Sequence, residues 1–174
     1  MVKQFAEWLS TTSSSVFIQN HNGWVIPAIQ SIHIIGIAAV FGAVFMIYLR
    51  ILGWAGMDQT LRQTTSRFGP WLTGGLWLML VTGVLMVLGE PVRELVTFSF
   101  WLKMFLVAVS TVIATVFLVA VRRHDQQWEE RLVKRKSIQG LAMLTFLIWV
   151  FIIILGRLIA YDHIWGPWSP ATKA

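Results

Sequence analysis

His33, Lys103 and Arg157 are the three ionisable residues that interrupt the apolar stretches of this 174-residue chain. Charge is costly in such surroundings, so each is a functional-site candidate by default. An imidazole there is a base and a ligand for haem iron or another metal. A guanidinium or an ammonium beside it would hold an anion. The remaining soft donors are seven Met, since the chain has no Cys. That removes disulfides, thiolate-held iron–sulfur clusters, covalently attached c-type haem and cysteine nucleophiles. A glycine-rich phosphate loop, GxSxG, HExxH and an intraspan carboxylate pair are all missing from the sequence, so hydrolysis and phosphoryl transfer have no recognisable motif.

The elements that must position these residues follow from composition. Apolar residues make up 56% of the chain and charged residues 13%, about half the ~25% of a soluble protein. A water-soluble fold of this size needs more polar surface, so the surplus meets lipid or a partner. Residues 25–49, 71–88, 100–121 and 141–160 form four apolar runs, near the roughly 20 residues that cross a hydrocarbon core as helix. None alternates as a barrel strand would. The predicted fold class is an all-α integral membrane four-helix bundle: residues 1–20 an N-terminal interfacial segment, 21–165 the transmembrane domain, 166–174 a tail. Phe5, Trp8 and Leu9 at helical spacing, followed by the polar run 11–15, predict a short interfacial helix and then a turn. This segment lacks the continuous apolar core of a secretory signal peptide and is expected to be retained. Gly69-Pro70 is expected to open the second span and Glu90-Pro91 to close it.

Basic residues set the expected orientation. Arg50, Arg62 and Arg67 flank the first connection, and Arg122, Arg123, Arg131, Lys134, Arg135 and Lys136 the third, nine in all. The opposite side carries only Lys3, Arg93 and Lys173. A bacterial inner-membrane location with both termini periplasmic is therefore expected. The net charge of +6 is then accounted for by loops beside anionic lipid, and no nucleic-acid partner is expected. The stretch QQWEERLVKRK reads as an amphipathic helix on that basic surface.

Counted at about 1.5 Å per residue from the basic ends, His33, Lys103 and Arg157 fall at one level near the outer surface. Met86 and Glu90 lie at the same level of the second span. Gly36, Ile37 and Val40 share the His33 face, Gly75, Met79, Thr82 and Met86 form a second stripe, and Ser99, Lys103 and Ser110 a third. In the fourth span Gly156, Arg157, Ala160 and Tyr161 make a compact small-and-polar patch, and all these faces are expected to look inward. The leading functional expectation is a b-type haem bound by His33, supported by Arg157, Lys103 and Tyr161, with Met86 or His163 as a second ligand, in a redox or electron-transfer assembly. His163 lies about 9 Å beyond Arg157 along a continued helix, so it must fold inward to serve. Copper handling by His33 with the Met residues, and quinone or small-anion binding, are alternatives. The bland alternatives are a hydrogen-bonded neutral His33, snorkelling Lys103 and Arg157, Met residues that only pack, and an anchoring subunit. Partners expected are the bilayer, other membrane or periplasmic subunits, and further copies of the chain; nothing in the sequence decides whether it is an enzyme.

At WVIPAIQSIHIIGIA, FGPW, FWLK and LGRLIAYD the chain resembles an uncharacterised family of small bacterial inner-membrane proteins, over roughly residues 20–163. More loosely, it is similar in size and helix count to four-helix b-type cytochromes and to half of a copper-resistance membrane protein. It departs from the cytochromes in lacking their paired intramembrane histidines, so this likeness implies at most one outer haem. His33, Lys103, Arg157 and Tyr161 all fall within the shared motifs.

Overall fold

The computed structural model describes residues 2–124 and 126–159, with the side chains of residues 126 and 130 left aside. Among the described residues eight helices follow one another: α1 (Val2–Ser10), α2 (Ser13–Asn20), α3 (Asn22–Leu52), α4 (Leu61–Gly89), α5 (Pro91–Leu95), α6 (Phe98–Arg123), α7 (Gln126–Val133) and α8 (Lys136–Ile159). No strand occurs among the described residues. Helices α3, α4, α6 and α8 are each long and apolar enough to cross a membrane, so the chain is an all-α multi-pass membrane protein. Bulky side chains such as Ile34, Ile35, Trp77, Phe105, Val112 and Leu144 are exposed along them. In a bilayer these positions face acyl chains, and association between helices rests on close packing.

Two sequence boundaries differ from expectation. Gly69-Pro70 does not open the second span: both residues lie inside α4, whose start is nine residues earlier at Leu61. The start is set by Thr60, whose hydroxyl accepts from the Gln63 N–H at 3.1 Å while the Gln63 side chain accepts from the Thr60 N–H at 2.8 Å. This reciprocal cap satisfies two backbone donors at once and outweighs a proline one turn or more inside. The polar run 11–15 is likewise not all turn, because α2 begins at Ser13. Ser15 is fully buried and its hydroxyl donates to the Leu88 carbonyl at 2.6 Å, closing the exposed end of α4.

Helices α3 and α4 make the most extensive contact. α8 packs against both α3 and α6, and α6 touches α4 more sparsely. The α3–α4 pairing is antiparallel, with Gly36 against Gly75 and Met79, and Val40 against Gly75. A Cβ on Gly75 would lie 2.7 Å from a Val40 methyl and 3.2 Å from the Gly36 carbonyl oxygen, so only glycine lets the backbones come this close. Three buried clusters stack along the bundle: Ala6, Leu95, Phe100 and Ile159 at the end holding the N-terminus, Val40, Val44, Leu72, Trp149 and Ile152 in the middle, and Ile47, Ile51, Leu61, Val121 and Ala142 at the basic end.

Replacing Gly75 with Ala should destabilise the protein by roughly 1–3 kcal/mol, the usual range for overpacking. Replacing the adjacent Gly74, which has open space around it, should change little. Thermal unfolding of both variants in detergent checks the pair, and equal stabilities would refute the close approach.

Candidate functional site

The pairing just described brings His33 opposite Thr82. Along α3, His33 lies three residues before Gly36; along α4, Thr82 lies three after Met79 and seven after Gly75. One antiparallel register therefore serves both the glycine contact and the polar one. His33 Nδ1 lies 2.7 Å from Thr82 Oγ1, and Thr82 Oγ1 lies 2.7 Å from the Leu78 carbonyl oxygen. A carbonyl only accepts, so the threonine proton goes to Leu78 and the hydroxyl oxygen accepts from the imidazole Nδ1–H. That puts a proton on Nδ1, and in the neutral ring the lone pair is then on Nε2, the arrangement of a metal-ligating histidine whose other nitrogen is held by a neighbour. His33 is half-buried, Thr82 is buried, and Gly83 lies beside the ring at Cε1.

Lys103 of α6 is half-buried at the same end. Its stem lies along Gly156 of α8, and its ammonium stands 5.5 Å from the centre of the Phe100 ring. Its charge bears on both His33 and Glu94, although among the described residues it makes no direct ion pair. Glu94 of α5 is the buried acid of this layer, 4% exposed. Arg93 Nη2 is 3.9 Å from Glu94 Oε1 and 2.5 Å from Glu90 Oε2. Burial pushes the Glu94 carboxyl above the ordinary carboxylate range; Lys103 and Arg93 counter this in part, and Glu90 adds to it. The short helix around it presents Pro91, Glu94 and Leu95 inward, pinned by Trp101, whose indole N–H donates to the Leu95 carbonyl at 2.9 Å.

The sequence-derived candidates divide accordingly. His33 and Lys103 are brought into one layer. Met86 lies one turn from Thr82 on the same helix, half-buried, and Met79 one turn the other way with its side chain against Gly36. Arg157 is not on an inward face but exposed, whereas Gly156, also accessible, lies beside the Lys103 stem. The buried stripe of α8 runs through Ala142, Thr145, Trp149, Ile152, Leu155 and Ile159, and position 157 falls on the opposite side at about 100° per residue. Tyr161 and His163 lie outside the described residues. His21 is exposed and held by the Phe17 carbonyl, and His124 stands at the opposite end of the bundle. Sequence reasoning took Glu90 as the acid of this level and missed Glu94. The signal was available in the i, i+3, i+4 spacing of Pro91, Glu94 and Leu95, but five residues are too few to declare a face.

Chemically the layer offers one basic imidazole nitrogen, one ammonium and one carboxyl. Among the described residues no group of three or more His, Asp or Glu could hold a metal ion. A haem, which brings four nitrogens of its own, asks less: one imidazole and a cation for its carboxylates match what His33 and Lys103 supply.

Because the folded state holds the Glu94 proton more tightly than the unfolded chain, stability should be greatest below the ordinary carboxyl pKa. It should decline as pH rises from about 4 and level off above the raised value. Glu94→Gln should remove that decline. Unfolding midpoints measured from acid to neutral pH test this, and parallel profiles for the two proteins would assign the slope elsewhere.

A family described as one of unknown function, DUF6644, matches residues 5–162. No curated protein and no solved structure matches the chain.

Proposed function

We propose, for a chain that belongs to the DUF6644 family, that it is a membrane-embedded cofactor-binding subunit carrying a b-type haem on His33, within a redox or electron-transfer assembly. The observation that carries this reading is the His33–Thr82–Leu78 hydrogen-bond chain. It fixes the ring and leaves Nε2 as the ligating atom. Lys103 would hold a propionate, and Met86, one turn from Thr82 on the same helix, would be the second ligand. His163 and Tyr161 remain members of the proposed set beyond the described residues. Arg157, exposed on α8, is proposed only for the rim of such a site. A bound haem would supply one-electron chemistry; the protein's share is to orient the ligand, neutralise the carboxylates and limit water.

The reading includes an inner-membrane location with both termini periplasmic, supported by the nine basic residues on the opposite side. It also includes contact with other membrane or periplasmic subunits, or with further copies of the chain. A second reading has its own support in the same hydrogen bond: Nδ1 is satisfied within the α3–α4 interface, as a purely structural polar clasp in an anchoring subunit would have it. Interhelical bonds of this kind contribute about 0.6 kcal/mol on average in membranes.

An absorption spectrum of the purified full chain, before and after dithionite, separates the two. The haem reading expects a Soret band that shifts on reduction and is abolished by His33→Ala. Thr82→Val should keep the band but weaken retention of the haem about 10- to 100-fold, the usual effect of removing a ligand's hydrogen-bond partner. A colourless protein from haem-replete cells, with His33→Ala costing stability alone, would replace the haem reading with the clasp.

A further inference from the structure

At the basic end of the bundle a second charged feature stands apart from the His33 layer. Helix α7 is amphipathic there. On one side Leu132 and Val133 pack against the end cluster, and buried Glu129 accepts from the Arg62 backbone N–H at 3.2 Å. The other side borders an open groove of about 480 Å³ lined by Arg123, His124, Gln127, Trp128 and Arg131. Its aromatic wall is rigid: the His124 ring stacks on Trp128 with centroids 4.2 Å apart and planes inclined by 20°, and His124 Nδ1 is held 2.8 Å from the Ala120 carbonyl oxygen.

Charge in the groove is one-sided. Among the described residues no carboxylate lines it, and neither Arg123 nor Arg131 makes an ion pair. Glu129, the acid of α7 whose side chain is described, is turned into the bundle and taken up by Arg62. Two guanidiniums that make no ion pair among the described residues offer the planar forked donors that phosphate oxygens accept. The level of the groove selects the source of that phosphate. Arg123 ends a membrane-crossing helix, and a tryptophan just beyond such an end belongs to the interfacial layer. Phosphodiesters are concentrated there, and basic pockets at that depth bind anionic headgroups.

We infer that this groove is a binding site for the phosphate headgroup of an anionic phospholipid, held by Arg123 and Arg131 against the His124–Trp128 wall. The site is independent of the haem reading and of which way the chain crosses the bilayer.

The test uses the full chain in nanodiscs of phosphatidylcholine, alone or with phosphatidylglycerol, and reads the unfolding midpoint and the lipid retained in native mass spectrometry. Phosphatidylglycerol should raise the midpoint of the wild type by at least about 3 °C, as a ligand specific to the folded state does, and should remain bound. Arg123→Gln with Arg131→Gln should lose both effects. Lys134→Gln with Lys136→Gln, which removes the same charge from the adjoining segment, should keep them. Should the first pair fail to fold, Arg131→Gln alone should show a reduced midpoint shift and reduced retention. Loss of the effects in the lysine pair would assign them to diffuse surface charge and overturn the site. So would a wild type indifferent to phosphatidylglycerol. An equal rise produced by inorganic phosphate in phosphatidylcholine discs would make the ligand a free anion and overturn the lipid assignment.

Discussion

The close approach of α3 and α4 at Gly36 and Gly75 is the constraint on which the rest of the molecule depends. In lipid there is no hydrophobic gain from bringing two apolar helices together, so they associate where backbones can touch and dispersion contacts are many. Two glycines facing each other supply that opportunity. Once the backbones meet there, the remaining steps of the seam are fixed, and His33 comes level with a threonine that can accept its proton.

Asymmetry along the bundle follows from that fixed pair. The middle is a packed layer around Trp149 and Ile152, and the basic end is closed by α7 and the capped start of α4. The polar layer lies near the opposite end, where α1, α2 and α5 gather over it. Ser15 takes up the Leu88 carbonyl, Gln19 donates to Ser15 at 2.7 Å, and Trp101 ties α6 to α5. Each contact answers a backbone or hydroxyl group left open where a long helix ends in less polar surroundings. Glu94 is buried in this layer, while His33 and Lys103 are half-buried.

Much of this was legible in the sequence because the bilayer leaves few choices. Four apolar runs of adequate length mean four crossing helices, and helical periodicity put Gly36 and Val40 on the face of His33, and Gly75 and Met79 on that of Thr82. What periodicity could not give is which stripe meets which. Arg157 shows this: small and polar neighbours suggested an inward patch, yet the buried side of α8 runs through Ala142, Thr145, Trp149, Ile152, Leu155 and Ile159, and the arginine points away from it. Glu94 escaped for a different reason. It sits on a single helical turn between longer elements, too short for its i, i+3, i+4 spacing to declare a face, and its burial is decided by the packing of α1 and α6 around it. The start of α4 was hidden by the strength of a proline signal that, in context, a threonine cap overrides.

The seam between α3 and α4 also acts as a check on assembly. A hairpin inserted one helical turn out of step would displace His33 from Thr82 by about 5.4 Å and bring Val40 over a residue with a side chain in place of Gly75. The misaligned form would leave a ring nitrogen facing hydrocarbon and hold the helices apart at the same moment, so steric and polar errors arise together. Correct registration is thereby distinguished by contacts within these two helices alone.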